Sequence, residues 1–315
     1  MPKSSLFQHS IVKDLEWVIA NPPIIQGQQD NRHWTSANDW AQAHKDFKRQ
    51  LDELNENPQP LVNLLAEQRD YRLGHRFETL LSYWFKHNGR HEILAQNLQV
   101  QDHNRTIGEF DFIVKDRLTH KIQHWEVACK FYIGINDTSK AEHWVGPMLK
   151  DRLDIKYHSI RSKQSTLSAH PTAKAQLQQL NMSIDEHICL IKGRLFHPLR
   201  SSGKVYPSVI SSSHQRGQWA RADDFLKYFQ AEKIQWQLLD KNQWMAAQTY
   251  MPDQHYFTTA DIVQYFLDSP KQSPLCLAGF LSDTPTKQEN TRVFLVAKDW
   301  AKNVNLTDNT TTHLN

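Results

Sequence analysis

The chain has 315 residues, of which 39% are hydrophobic and ten are tryptophan, with a formal net charge of +3. These values exclude a disordered chain and allow one or two domains, while so small a charge confines any nucleic-acid-binding surface to a local patch. No apolar run reaches the roughly 20 residues that cross a bilayer, the N-terminal 26 residues lack a basic segment followed by an apolar one, and Cys129, Cys189 and Cys276 form no CxxC, so a cytoplasmic protein without a membrane partner is expected.

In chain order, residues 1–65 read as an N-terminal helical region. A helix is expected over 39–54, ended by Asn55-Glu56-Asn57-Pro58. Leu73, Phe77, Leu80, Leu81 and Trp84 form an apolar stripe at helical spacing, closed by Asn88-Gly89. Three strands should follow, near 93–100, around Glu109 and Asp111, and around Glu126 and Lys130. A loop over 134–146 leads to a helix expected over 147–163, where Leu149, Leu153, Tyr157 and Ile160 recur at helical spacing. A helix over 172–180 and a strand over 187–196 complete an α/β core over 66–200. Residues 200–218, rich in Ser, Gly and Pro, read as a long loop. A C-terminal α/β extension over 201–303 should hold helices at 222–229 and 259–267 and strands at 234–239 and 292–297. A polar, frayed tail covers 304–315.

The chemistry concentrates in two of those strands. Gly108-Glu109-Phe110-Asp111 precedes Glu126-Val127-Ala128-Cys129-Lys130, with Glu126 fifteen residues after Asp111. Period-2 alternation puts Phe110, Phe112 and Val114 on one face and Ile107, Glu109, Asp111 and Ile113 on the other. In the second strand, Trp125, Val127, Cys129, Phe131 and Ile133 oppose His124, Glu126, Ala128, Lys130 and Tyr132. Carboxylates thus project from the same side of two linked strands, and a lysine accompanies one of them. Such a set holds Mg²⁺ or Mn²⁺ by hard oxygen ligands and serves phosphodiester hydrolysis. The bland alternative is a structural salt bridge from Lys130 to Glu126 or Asp111.

With Glu78 on the preceding helix, this arrangement resembles the PD-(D/E)XK nuclease superfamily, which includes restriction endonucleases. The resemblance implies a restriction-endonuclease-like core, a mixed sheet flanked by helices in α-β-β-β-α-β order. It further implies a metal-dependent nuclease acting on nucleic acid, DNA in the first instance. Asp111, Glu126 and Glu109 would be metal ligands, Glu78 would complete or position the shell, and Lys130 would assist at the water or phosphate. More specifically, His124-Trp125-Glu126-Val127-Ala128-Cys129-Lys130-Phe131-Tyr132, Leu149-Lys150-Asp151-Arg152-Leu153-Asp154 and Gly193-x-Leu195-Phe196-x-Pro198-Leu199 resemble the bacterial DUF1853 family, over about residues 60–300. The superfamily's acid and lysine are two residues apart, whereas Glu126 and Lys130 are four apart, roughly 13 Å along a strand. Either Glu126 keeps the acid position and Lys130 reaches back, or Lys130 keeps its position and the acid has moved.

On the expected helix over 147–163, Arg152, Lys156 and Lys163 fall within about 40° on a helical wheel, and Lys150 adds charge nearby. These four are candidates for phosphate contact, with a solvated helix face as the alternative. No HExxH, GxSxG or GxGxxG occurs, and Ser202-Gly203-Lys204 lacks the rest of a phosphate loop. The competing class is a non-catalytic nucleic-acid-binding or scaffolding protein that retains the nuclease fold.

Overall fold

The computed structural model describes residues 7–29, 32–68, 70, 72–103, 105–200, 205–282, 288–302 and 304. The Ser202-Gly203-Lys204 segment and nearly all of the polar tail lie outside them.

Helix α1 (Ser10–Ala20) is followed by a short hairpin of β1 (Gly27–Gln29) and β2 (Arg32–Trp34). Helix α2 (Ala37–Glu56) begins at a capping box: Ser36 Oγ accepts the Asp39 N–H and the Asp39 carboxylate accepts the Ser36 N–H. Helices α3 (Gln59–Ala66) and α4 (Leu73–His87) follow, and α4 buries Phe77, Leu80, Leu81, Trp84 and Phe85. The central strands are β3 (His91–Asp102), β4 (Arg105–Asp116) and β5 (Ile122–Gly134), antiparallel in succession. After β6 (Trp144–Val145) come α5 (Leu153–Ser159), a π-turn over Ile160–Gln164, α6 (Pro171–Gln179) and β7 (Glu186–Pro198). Strand β7 lies parallel to β5 along eleven residue pairs, from Gln123–Glu186 to Ile133–Phe196.

The remaining chain widens the same sheet. It supplies β8 (Gln215–Arg221), α7 (Ala222–Phe229), β9 (Ile234–Leu239), α8 (Thr259–Asp268), β10 (Leu275–Leu281) and β11 (Thr291–Val296). The order across the sheet is β3-β4-β5-β7-β8-β11-β10-β9. The architecture is therefore mixed α/β, one large mixed sheet flanked by helices. Among the described residues no helix is long and apolar enough to cross a membrane.

One core joins α1, α2 and α4 to Phe112, Val114, Trp125, Val127, Phe131 and Ile133 on one face of the sheet. On the other face, α5 packs Leu153 and Tyr157 against Ala128 and Tyr132, and α6 packs Ala173 and Leu177 with Phe110 and Ile113. The expected faces of β5 stand, but those of β4 do not. Phe110 and Ile113 share one cluster while Phe112 and Val114 share the other, so the alternation slips by one at Asp111. Across the ladder, pairing skips from Gln96–Phe112 to Leu98–Phe110, and the intervening Asn97 takes φ +52°. Both strands absorb the irregularity at the same level.

Two further expectations change. The helix expected from 147 begins at Leu153, because Leu149 takes φ +58° and a turn closes between Gly146 and Asp151, whose carbonyl accepts the Gly146 N–H at 2.8 Å. Strand β8 begins inside the expected 200–218 loop. Its polar sequence is strand only because β7 and β11 pair with it on either side.

Candidate active site at the parting of β4 and β5

Backbone pairing between β4 and β5 runs from Lys115–Ile122 to Phe112–Trp125 and stops there. At the next step the Val127 N–H is satisfied by a side chain instead, donating to Asp111 Oδ2 at 2.9 Å. The strands separate beyond that point, and acidic groups from both, and from α4, gather in the gap.

Glu126 extends from β5 on the side opposite Trp125 and Val127 and is fully buried. Its Oε1 lies 3.0 Å from His124 Nε2, and its Oε2 is buried without a hydrogen-bond donor. Burial holds Glu126 well above the usual carboxylate range, against the opposing charge of Lys156; the Asp111 carboxyl is in hydrogen-bond contact with it. Asp111 is pushed up to about 8, first by burial and then by the charge of Glu126. Glu78, from α4, is raised by burial and then by Asp111. The charge of Glu109 acts on all three. Crowded acids of this kind favour shared protons or a bound cation.

The structure thus brings Asp111, Glu126, Glu109 and Glu78 together electrostatically. Its lysines are distributed differently from the sequence expectation. Lys130 Nζ is 2.5 Å from Asp151 Oδ2, in the turn that precedes α5. The lysine whose charge acts directly on Asp111 and Glu126 is Lys156 of α5, largely desolvated, with Nζ 3.0 Å from Gln164 Oε1. Arg152 is the residue preceding α5 and pairs with Asp154 at 2.7 Å. Lys150 and Lys163 are exposed. Because the helix starts late and then passes into a π-turn, Arg152, Lys156 and Lys163 do not form one basic face.

Behind Glu126 runs a polar chain that the sequence reading did not pick out. His124 is kept neutral by burial, which lowers it to about 3, and its Nε2 shares a hydrogen bond with Glu126 Oε1. Its Nδ1 lies 3.4 Å from His187 Nδ1, and His187 Nε2 faces Ser168 Oγ at 3.5 Å. The available signal was His124 two residues before Glu126, on the same strand face. On the other side of the cluster, His75 Nδ1 stands 3.3 Å from Glu78 Oε2 and its Nε2 stands 3.1 Å from Asp70.

The donor set suits a hard divalent ion: the ligands are carboxylate oxygens, and the buried Glu126 Oε2 lacks any donor. Among the described residues, no three His, Cys, Asp or Glu side chains already form a closed ligand set. Ion binding would therefore draw on rotation of these side chains.

Residues 13–296 match the family model described as "Domain of unknown function (DUF1853)", so the chain belongs to that family. No curated protein and no solved structure matches the chain.

Proposed function

We propose that this DUF1853 member is a metal-dependent nuclease with a PD-(D/E)XK-like core, hydrolysing phosphodiester bonds in DNA. The observation that carries the reading is the meeting of Asp111, Glu126, Glu109 and Glu78 around the charge of Lys156, where β4 parts from β5. The order α4, β3, β4, β5, α5–α6, β7, antiparallel for three strands and then parallel, supports it at the level of topology.

Asp111 and Glu126 would hold Mg²⁺ or Mn²⁺, with Glu109 or Glu78 completing the set. When bound, the ion polarises the phosphate and lowers the pKa of water. Attack of water forms one P–O bond and breaks another, and the departing oxygen takes up a proton from solvent. The proton lost by the attacking water passes to a carboxylate. Glu78 suits that role, since it is raised above its ordinary value and its side chain keeps 21% exposure. Lys156 takes the part that sequence spacing offered to Lys130, offsetting negative charge at the phosphate. Exposed Lys150 and Lys163 would meet the nucleic-acid backbone. His124 is a positioning residue, fixing one oxygen of Glu126.

A second reading, a binding module that has lost catalysis, draws on the engagement of Asp111 by Val127 and of Lys130 by Asp151. Incubation with linear, single-stranded and branched DNA and with RNA, in Mg²⁺ and in Mn²⁺, separates the two. Cleavage that disappears in Asp111→Asn supports the nuclease. A folded wild-type protein that binds these substrates and cleaves none sinks it in favour of the binding module.

A further inference from the structure

A second concavity lies away from the carboxylate cluster, beneath α2 and beside the ends of β4 and β5. It has a volume of about 750 Å³, within the range of small-molecule sites, and none of Glu78, Glu109, Asp111 and Glu126 lines it. Its wall is aromatic: Trp40, Trp84, Trp125 and Phe47 all contribute. Trp40 stacks obliquely on Trp84 at 5.3 Å and meets Trp125 edge-on at 6.5 Å.

Its charge is one-sided. Five carboxylates line it against a single guanidinium, Arg90, and that group is already paired with Asp116 at 2.6 Å. Glu186 is answered from outside by Lys121. Asp39, Asp46 and Asp185 are exposed at the lining. Burial keeps His91 and His187 at about 4, so neither adds positive charge at neutral pH.

We propose that this cavity binds a small organic cation, with an apolar or aromatic body against the indoles and its positive charge toward Asp46 and Asp185. Aromatic faces attract ammonium groups through their quadrupole, and the acidic lining adds Coulomb attraction and rejects anions. The site does not depend on the nuclease reading, because no residue of that cluster takes part.

Benzoylcholine supplies a ring and a quaternary ammonium in one molecule and serves as the probe. Its neutral isostere 3,3-dimethylbutyl benzoate and the anion benzoate are the controls, with calorimetry and tryptophan fluorescence on the full chain as readouts. Saturable one-to-one binding is expected, at least ten-fold tighter than for the neutral ester, with no binding of benzoate. Asp46→Asn with Asp185→Asn changes two exposed side chains, so the fold is kept, and should weaken the probe at least five-fold. Absence of saturation below about 10 mM, a range that would leave only about 2.7 kcal/mol of binding, overturns the proposal. So does equal affinity for the neutral ester, or unchanged affinity in the double variant.

Discussion

Asp111 Oδ2 accepts the backbone N–H of Val127 at 2.9 Å, one step beyond the last backbone pair between β4 and β5. A side chain thereby takes the place of a ladder carbonyl, and the strands can part without leaving a buried N–H unsatisfied. The same contact holds Asp111 beside Glu126, within a group of acids that burial and mutual repulsion push above their ordinary range.

If those acids hold a divalent ion, Mn²⁺ should stabilise the fold, because a ligand that binds only the native state raises its apparent stability. At a hundred-fold excess over Kd the gain is about 2.7 kcal/mol. The thermal midpoint of the wild type should rise with Mn²⁺, and Asp111→Asn should abolish the rise while leaving the metal-free protein folded. His124→Phe removes the hydrogen-bond partner of Glu126 Oε1 and should weaken Mn²⁺ roughly 10- to 100-fold. An identical Mn²⁺ shift in wild type and Asp111→Asn would remove Asp111 from the ligand set.

The two lysines should separate in activity. Lys156→Gln deletes the charge acting on Asp111 and Glu126 and is expected to lower cleavage by about 10² or more, as loss of a charge-stabilising donor does elsewhere. Lys130→Gln breaks only the half-exposed pair with Asp151 and should cost little. The opposite ranking would return the catalytic lysine to β5.

Acid should destabilise the protein through buried histidines. His91 is 7% exposed and burial lowers it to about 4, with the charge of Arg90 adding to the effect and that of Asp116 opposing it. The unfolded chain titrates its histidines near the ordinary value, so between about pH 6.5 and 4 the unfolded state binds more protons and stability falls as pH falls. His91→Gln removes that share. The stability gap between wild type and variant should therefore move in favour of the variant by about 3 kcal/mol between pH 7.5 and 3.5. Urea titrations at the two pH values check it, and a gap independent of pH would refute the assignment.

Gly193 should tolerate no side chain. It has φ +150° on β7, opposite Lys130 of β5, and a Cβ there would overlap the Lys130 carbonyl oxygen. Gly193→Ala must force apart the two central parallel strands, at a cost on the order of 3 kcal/mol or more. Chemical denaturation measures this directly. A loss below about 0.5 kcal/mol, the range of an ordinary surface change, would show that the close approach is not required.

Much of the local structure was legible in the sequence. The apolar stripe from Leu73 to Trp84, the alternation around Trp125 and Val127, and the 222–229 helix follow from periodicities that each segment carries by itself. At Asp111 and Glu126 the sequence likewise marked candidate residues, since acids between apolar strand neighbours are costly without a partner.

Tertiary structure decided the rest. The slip at Asp111 lies opposite Asn97 across the ladder, and β8 is a strand only through its neighbours β7 and β11. Lys156, not Lys130, acts on the acids because a turn at Leu149 delays α5 and Asp151 draws Lys130 away. Sequence spacing measures distance along one strand or one helix, whereas the charge environment of a site is set by side chains that different elements bring to one point. The first is a property of local periodicity; the second exists only once the helices have packed onto the sheet.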